Sequence, residues 1–317
     1  MKYDLFKTKT QTLFSNKKIL RSLKKMFGKT PSFEELLIQD TELAAQLDDT
    51  LGINTNAEEL FFEKTGRKLV FVEKSVVEML NRAKFSSNSS AKILPPNGFE
   101  TFALCFEKDT FVEVDGQKVR LYPCQITVME EEEMYQRIHQ PFGELTGFNI
   151  QRNPSLNLTI TVSYKIDDVT YRSCVDISEV MNKIDTGVRE SNELSSILDQ
   201  RLNDTEQLTT NTLMKIAVQL LIFNSATNNK HLVSGFPSDC ELRLPLNTTR
   251  VYWSASHIDY SQSKAVSAHI RSAHFRNLQH SKYYNNEYSN IPKGSRWVLV
   301  SESFVGDHDT FIQKQNN

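Results

Sequence analysis

The stretch Leu156-Asn157-Leu158-Thr159-Ile160-Thr161-Val162-Ser163-Tyr164-Lys165 decides the fold, because its apolar residues fall on every second position as far as Tyr164. Such alternation sends one set of side chains into a core and the other to the opposite face of a strand. Asp167-Asp168 is a turn signal, and Val169–Asp176 returns as the second strand of a hairpin. An earlier hairpin lies upstream. Phe99–Glu107 and Thr110–Val114 read as strands, Asp115-Gly116 as a hairpin turn, and Gln117–Met129 as the return. Ile93-Leu94-Pro95-Pro96-Asn97-Gly98 excludes helix just before them, and the acidic run Glu130–Glu133 after them reads as a solvated strand end or loop. Two hairpins in succession predict an antiparallel sheet with helices on one face.

Downstream, residues 177–205 are polar and helix-like with loops, and Thr210–Asn224 is apolar nearly all round. Leu213, Met214, Ile216, Ala217, Leu220, Leu221 and Phe223 in that run predict a central buried helix. Upstream of residue 90 the pattern is helical. Thr30-Pro31-Ser32 opens a helix with Phe33, Leu36, Leu37, Ala44 and Leu47 facing inward, and Ser32 with Glu35 offers a capping box. Ala57–Lys64 and Ser75–Phe85 read as further short helices, and Ser86-Ser87-Asn88-Ser89-Ser90 as a linker. The expected class is α+β: a small helical amino-terminal region over 1–90, basic then acidic, followed over 91–317 by an antiparallel β-sheet domain with a buried helix.

Composition bounds what the chain can be. Its 317 residues are 39% hydrophobic and 24% charged, a globular mixture that excludes collagen, a coiled-coil rod and a wholly disordered chain. No window approaches the ~18 apolar residues of a membrane span, so no membrane partner is expected. The amino terminus shows no apolar secretory core, and a cytoplasmic location is expected. Cys105, Cys124, Cys174 and Cys240 stand far apart, which reads as buried reduced thiols and not as a disulfide framework or zinc knuckle.

The net charge of −2 conceals two opposed blocks. Residues 1–29 hold nine Lys and Arg against Asp4 alone, and residues 30–63 hold nine acids with no Lys or Arg. Within the basic block, Leu13, Ile19, Leu20, Leu23, Met26 and Phe27 fall within about 140° of a helical wheel. Lys17, Lys18, Arg21, Lys24 and Lys25 take the remainder, and Gly28 is the stop. The plain expectation is a surface helix packed by its apolar side, its lysines solvated or facing the acidic block. A basic face for RNA, ribosome or membrane requires those lysines to be unpaired.

The carboxy-terminal segment concentrates chemistry. Five of seven histidines lie between His257 and His308, and Lys264 to Arg296 holds six basic residues against Glu287. Phe275, Tyr283, Tyr284, Tyr288 and Trp297 are interleaved with them. The nucleus is His269-Ile270-Arg271-Ser272-Ala273-His274-Phe275-Arg276, followed by a polar loop, a Gly294 turn and the strand Arg296–Val300. Metal-free RNA cleavage would use His269 and His274 as base and acid, with Arg271 stabilising phosphorane charge. A strand suits that better than a helix, because residues two apart then share a face. RNA binding without chemistry needs only Lys264, Arg276, Lys282, Tyr283, Tyr284, Lys293, Arg296 and Trp297. The His269-x4-His274 spacing resembles a zinc half-site, but no acid or Cys pair stands near to complete it, so neither metal nor cofactor is expected. Histidines that only cap strands are the third reading.

This His-x-Arg-x-Ala-His-aromatic-Arg stretch, with Arg296-Trp297-Val298 and Val305-Gly306 after it, resembles the carboxy-terminal signature of a family of phage and mobile-element proteins. The family includes the type V-A anti-CRISPR protein that lowers the messenger RNA of its target effector nuclease. Leu94-Pro95-Pro96 with Thr101–Glu107, the Asp167-Asp168 hairpin and Leu213–Asn224 are similar to upstream family features, so the resemblance spans roughly residues 93–306. Phe275 stands where the family usually has Trp, and the Gly after it and the Pro before Val305 are absent. The resemblance implies a regulator that silences one gene co-translationally, coupling recognition of a nascent peptide on the ribosome to loss of the message. By position, His269, Arg271, His274, Arg276, Arg296 and Trp297 match the motif.

Overall fold

Lys68-Leu69-Val70-Phe71-Val72 is apolar on both faces after Lys68, and such a run is stable as a strand only where each face is covered. In the computed structural model this stretch is strand β1, buried along its whole length. The structure describes residues 2–9, 11–12, 16–86, 92–114, 116–167, 169–186, 204–237, 249–254, 269–271, 274–300 and 303–305. Most of the expected linker, at 87–90, lies outside the described residues.

The strands in chain order are β1 (Lys68–Val72), β2 (Lys84–Ser86), β3 (Thr101–Phe106), β4 (Phe111–Val114), β5 (Gln117–Arg120), β6 (Cys124–Glu130), β7 (Leu158–Ile166), β8 (Val169–Asp176), β9 (Leu232–Ser234), β10 (Arg250–Ser254), β11 (His269–Arg271), β12 (His274–Asn277), β13 (Trp297–Val300) and β14 (Ser303–Val305). The helices are α1 (Lys17–Phe27), α2 (Phe33–Gln46), α3 (Thr50–Lys64), α4 (Lys74–Arg82), α5 (Glu131–Met134), α6 (Gln140–Thr146), α7 (Ile177–Thr186) and α8 (Asp204–Ala226). A π-helical turn, Tyr135–His139, joins α5 to α6.

Seven strands form the main sheet in the order β8-β7-β6-β3-β1-β10-β9. The class is α+β, as expected, but the sheet is mixed and not purely antiparallel. β1 runs parallel to both β3 and β10, while β3-β6-β7-β8 and β10-β9 pair antiparallel. The helix α4 after β1 is the crossover that parallel pairing of β1 with β3 requires. The sheet therefore runs across the expected boundary at residue 90, since its interior strand β1 comes from the region read as purely helical. The 156–176 hairpin is β7-β8 as read, with Tyr164 opposite Tyr171. The expected strand over 117–129 is two elements. β5 returns on β4 in a small separate ribbon, and β6 joins the main sheet. The acidic run also departs from expectation: Glu131 starts α5, is buried, and accepts the Asn153 N–H at 2.9 Å.

Each face of the sheet has its own cover. Val70, Val72, Leu104, Phe106, Ile126, Val128, Ile160 and Val162 face α8, whose Leu213, Ile216, Leu220 and Phe223 are buried in one large core with them. This is the buried helix expected over Thr210–Asn224. On the opposite face Leu69, Phe71, Ala103 and Cys105 meet Phe62 of α3 together with Tyr3 and Phe6, and the Tyr3 ring stands edge-on to Phe71 at 5.1 Å.

Five acids of the block pair locally with cations outside α1, while Glu42 and Asp48 are exposed without a cation among the described residues. Asp40 pairs with Lys9 at 3.2 Å, Glu35 with Lys29 at 2.7 Å and Glu34 with Lys64 at 3.7 Å. Glu63 pairs with Arg67, and Glu58 with Arg172 at 2.6 Å. Among the described residues, no helix is long and apolar enough to cross a membrane.

Candidate nucleic-acid interface

Strand β12, His274-Phe275-Arg276-Asn277, alternates as a strand covered on one face must. Phe275 and Asn277 are buried, His274 is half-buried and Arg276 exposed. The burial of Phe275 is specific: its ring stacks on Phe85 of β2 at 4.8 Å and meets Phe223 of α8 edge-on at 6.3 Å. That anchors a three-stranded sheet, β13-β12-β2, against α8. β12 pairs antiparallel with β13 and parallel with β2, placing Lys84 beside His274 and Ser86 beside Arg276.

The outer face of this sheet is therefore formed by Lys84, His274, Arg276, Val298 and Val300. None of its three strands contains an acid. Lys84, His274 and Arg276 make no hydrogen bond or ion pair among the described residues. Neighbouring strands lie ~4.8 Å apart, so Lys84 and Arg276 reinforce one another with no counter-charge. Val298 is half-exposed and Val300 is 40% exposed, adding an apolar edge.

The loop between β12 and β13 is fastened by Tyr284. Its hydroxyl donates to the Leu278 carbonyl at 2.5 Å and accepts the Gly294 N–H at 2.8 Å and the Arg296 N–H at 3.3 Å. Gly294 has φ +92°, a left-handed conformation that favours glycine, and its carbonyl accepts from Asn277 Nδ2 at 2.6 Å and from the Lys92 N–H at 3.0 Å. Lys282 lies over the Tyr283 ring at 5.0 Å, and the Arg296 guanidinium over the Tyr288 ring at 3.4 Å while also donating to the Tyr283 carbonyl. His280 caps the short helix Ser281–Tyr284, its Nδ1 accepting the Lys282 N–H at 3.2 Å.

The sequence-predicted set thus divides. Arg276, Lys282 and Lys293 are exposed, His274 and Tyr283 half-buried, and all are open to a partner. Arg296 and Tyr284 are engaged in holding the loop. Trp297 is a correction: only 2% exposed, it sits in the main core with Nε1 donating to the Lys92 carbonyl at 3.0 Å, so its ring cannot stack on a base. His269 and Arg271 lie two apart on β11, which pairs with β14 and not with β12, so the ladders do not join them to His274. Lys264 lies outside the described residues. Lys84 is the member that sequence reasoning missed. It sits in a segment read as the end of a helix, and only pairing with a strand 190 positions downstream gives it a role.

A second polar concentration is buried between α3 and the sheet, on the face opposite α8. Glu58 Oε1 accepts from Arg172 Nε at 3.1 Å and Nη2 at 2.6 Å, and Gln125 Nε2 donates to the Glu58 carbonyl at 3.0 Å. Both nitrogens of His139, Glu58 Oε2, Gln125 Oε1 and Thr161 Oγ1 are buried without a partner. Burial, with Arg172 adding to it, depresses His139 to about 4. Burial raises Glu59 to about 7, although both of its oxygens accept the Lys9 N–H, at 2.8 and 2.9 Å. The Cys174 thiol is pushed up to about 11 by burial, so it is an unreactive thiol. Among the described residues no group of three or more His, Cys, Asp or Glu could hold a metal ion. This cluster clamps α3 and the amino-terminal segment to the sheet.

The fold and this surface define an α+β protein with a mixed seven-stranded sheet and an attached small sheet whose outer face is cationic. No family model matches the chain, and neither does any curated protein.

Proposed function

We propose that this chain is a mobile-element-encoded regulator, of the anti-CRISPR kind, that lowers the message of one target gene during translation, and that it meets RNA through the outer face of β2-β12-β13. The carrying observation is the unpaired cations Lys84 and Arg276, with the His274 ring between them, on a face without acids. Phosphates are the natural counter-charge for such a face, and Val298, Val300 and Tyr283 offer apolar surface to sugars and bases. In this reading the nascent peptide of the target and the ribosome supply specificity, and the site of action is the bacterial cytoplasm.

Holding RNA is favoured over cleaving it. A general base works best when a second group orients it, and the His274 ring has no such partner among the described residues. Transcript loss therefore follows from contact with the ribosome or from a recruited nuclease.

The test compares the native chain with the Lys84→Glu/Arg276→Glu pair in single-stranded RNA binding across a salt series. Losing two phosphate contacts should flatten the slope of log K against log salt by about 1.4, and target transcript levels should recover in cells. An unchanged slope would refute the assignment of this face. His274→Ala should leave transcript loss intact; its abolition with RNA binding retained would restore the catalytic reading.

A further inference from the structure

Helix α1 is well formed and yet joins no core among the described residues: Leu20, Leu23 and Phe27 are half-buried, while Ile19 and Met26 are exposed. Asn16 caps it by accepting the Lys18 and Ile19 N–H groups at 3.0 and 3.2 Å, and Gly28 ends it at φ +68°. None of its eleven residues is buried, and none joins any of the three hydrophobic clusters. Its apolar residues Ile19, Leu20, Leu23, Met26 and Phe27 nevertheless occupy one arc of about 120°. Ile19 is 37% and Met26 63% exposed, a cost in water that a helix on its own core would not bear. Lys17, Lys18, Arg21, Lys24 and Lys25 occupy an arc on the other side, and α1 contains no acid. None of these five has an ion pair among the described residues; the acids of the neighbouring block that do pair go to Lys9, Lys29, Lys64, Arg67 and Arg172. The lysines are solvated, one of the two outcomes the plain expectation allowed, but the apolar side is only partly covered, with Ile19 and Met26 exposed.

We infer that α1 is an interfacial helix that lies on an anionic phospholipid surface. Three kinds of occupant have charge complementarity with it, and they differ in what they leave unexplained. RNA would engage the lysines and leave Ile19 and Met26 in water. A groove on a protein would cover the apolar arc, but it reaches only side chains at the rim of that arc, and here the basic residues centre on the far side. A helix of ~10–12 Å diameter sunk ~5–10 Å into the headgroup boundary has its apolar arc in the acyl edge and its flanks among headgroups. All five cations then feel the negative surface potential. The inference concerns a surface-lying helix, not a span, and it does not depend on the RNA-binding reading.

The experiment is co-sedimentation of the full chain with phosphatidylcholine vesicles and with vesicles in which about one quarter of the lipid is phosphatidylglycerol. Binding should occur on the anionic vesicles, fall as salt rises, and be weak on the zwitterionic ones. Lys24→Glu/Lys25→Glu should weaken it at least about thirtyfold, since each basic side chain lost from such a surface costs about fivefold and the carboxylates introduced are repelled. Ile19→Asp/Met26→Asp should weaken it comparably while leaving the urea midpoint unchanged, because neither side chain is part of a core. Equal binding to both vesicle types, or native-like binding by the Ile19/Met26 variant, would overturn the inference. So would absent vesicle binding with RNA retention that falls on Lys24→Glu/Lys25→Glu, which assigns α1 to RNA. The Lys84→Glu/Arg276→Glu protein should bind vesicles like the native chain, so the two readings can fail separately.

Discussion

Replacing Glu59 by Gln should change how stability depends on pH, in a direction the buried polar cluster dictates. Glu59, raised from 4.5 to about 7 by burial, binds a proton in the folded chain over a range where the unfolded chain has lost it. Its contribution is fully present below pH 4.5 and is lost as pH rises through about 7. His139, lowered from 6.5 to about 4, has the opposite sign: its contribution is fully present above pH 6.5 and is lost as pH falls through about 4. Each displacement is worth about 3 kcal/mol at about 1.4 kcal/mol per pH unit. Over pH 4.5–6.5 folding takes up one proton at Glu59 and releases one at His139, so the native chain shows almost no slope from this pair. Charged neighbours share the site, with Lys165, Lys9 and Asp40 acting on Glu59 and Arg172 on His139. Gln keeps an acceptor for the Lys9 N–H and removes the proton site. The stability of Glu59→Gln minus that of the native chain, from urea unfolding at several pH values, should rise by about 1.4 kcal/mol per pH unit between pH 4.5 and 7. His139→Gln should give a difference that falls with pH over about 4–6.5. A flat difference curve for Glu59→Gln would refute the reasoning.

Two further outcomes follow from packing. Arg172→Met leaves the Glu58 carboxylate, 1% exposed, without its cation and should cost about 3–5 kcal/mol in urea unfolding, most of it recovered by adding Glu58→Gln. Phe275→Ala should cost about 3–5 kcal/mol by emptying the space between Phe85 and Phe223, whereas Arg276→Ala one residue on should change stability by less than about 0.5 kcal/mol.

What could be read without the structure was whatever is encoded locally. Alternation over Leu156–Tyr164 marks a strand with one apolar face, all-round apolarity over Thr210–Asn224 marks a buried helix, and Ser32 with Glu35 forms the capping box the spacing announces. Each depends on residues within a turn or a strand of one another, so the α+β class and the amphipathic α1 were legible. β1 was not: five residues between two helical patterns carry no alternation, and only parallel neighbours contributed by residues 101–106 and 250–254 make them a strand. The same holds at the candidate site. Density of His, Arg and aromatic residues pointed to 264–297, but the pattern could not say which side chains face out. Pairing with β2 and packing on α8 turned Phe275 and Trp297 into core and joined Lys84 to His274 and Arg276. Charge followed the same rule, since composition determined two opposed blocks while the fold decided which cations meet the acids. The sequence by itself determined periodicities and charges, which are properties of neighbours along the chain; tertiary structure alone decided partners, because burial and pairing join residues that the chain keeps far apart.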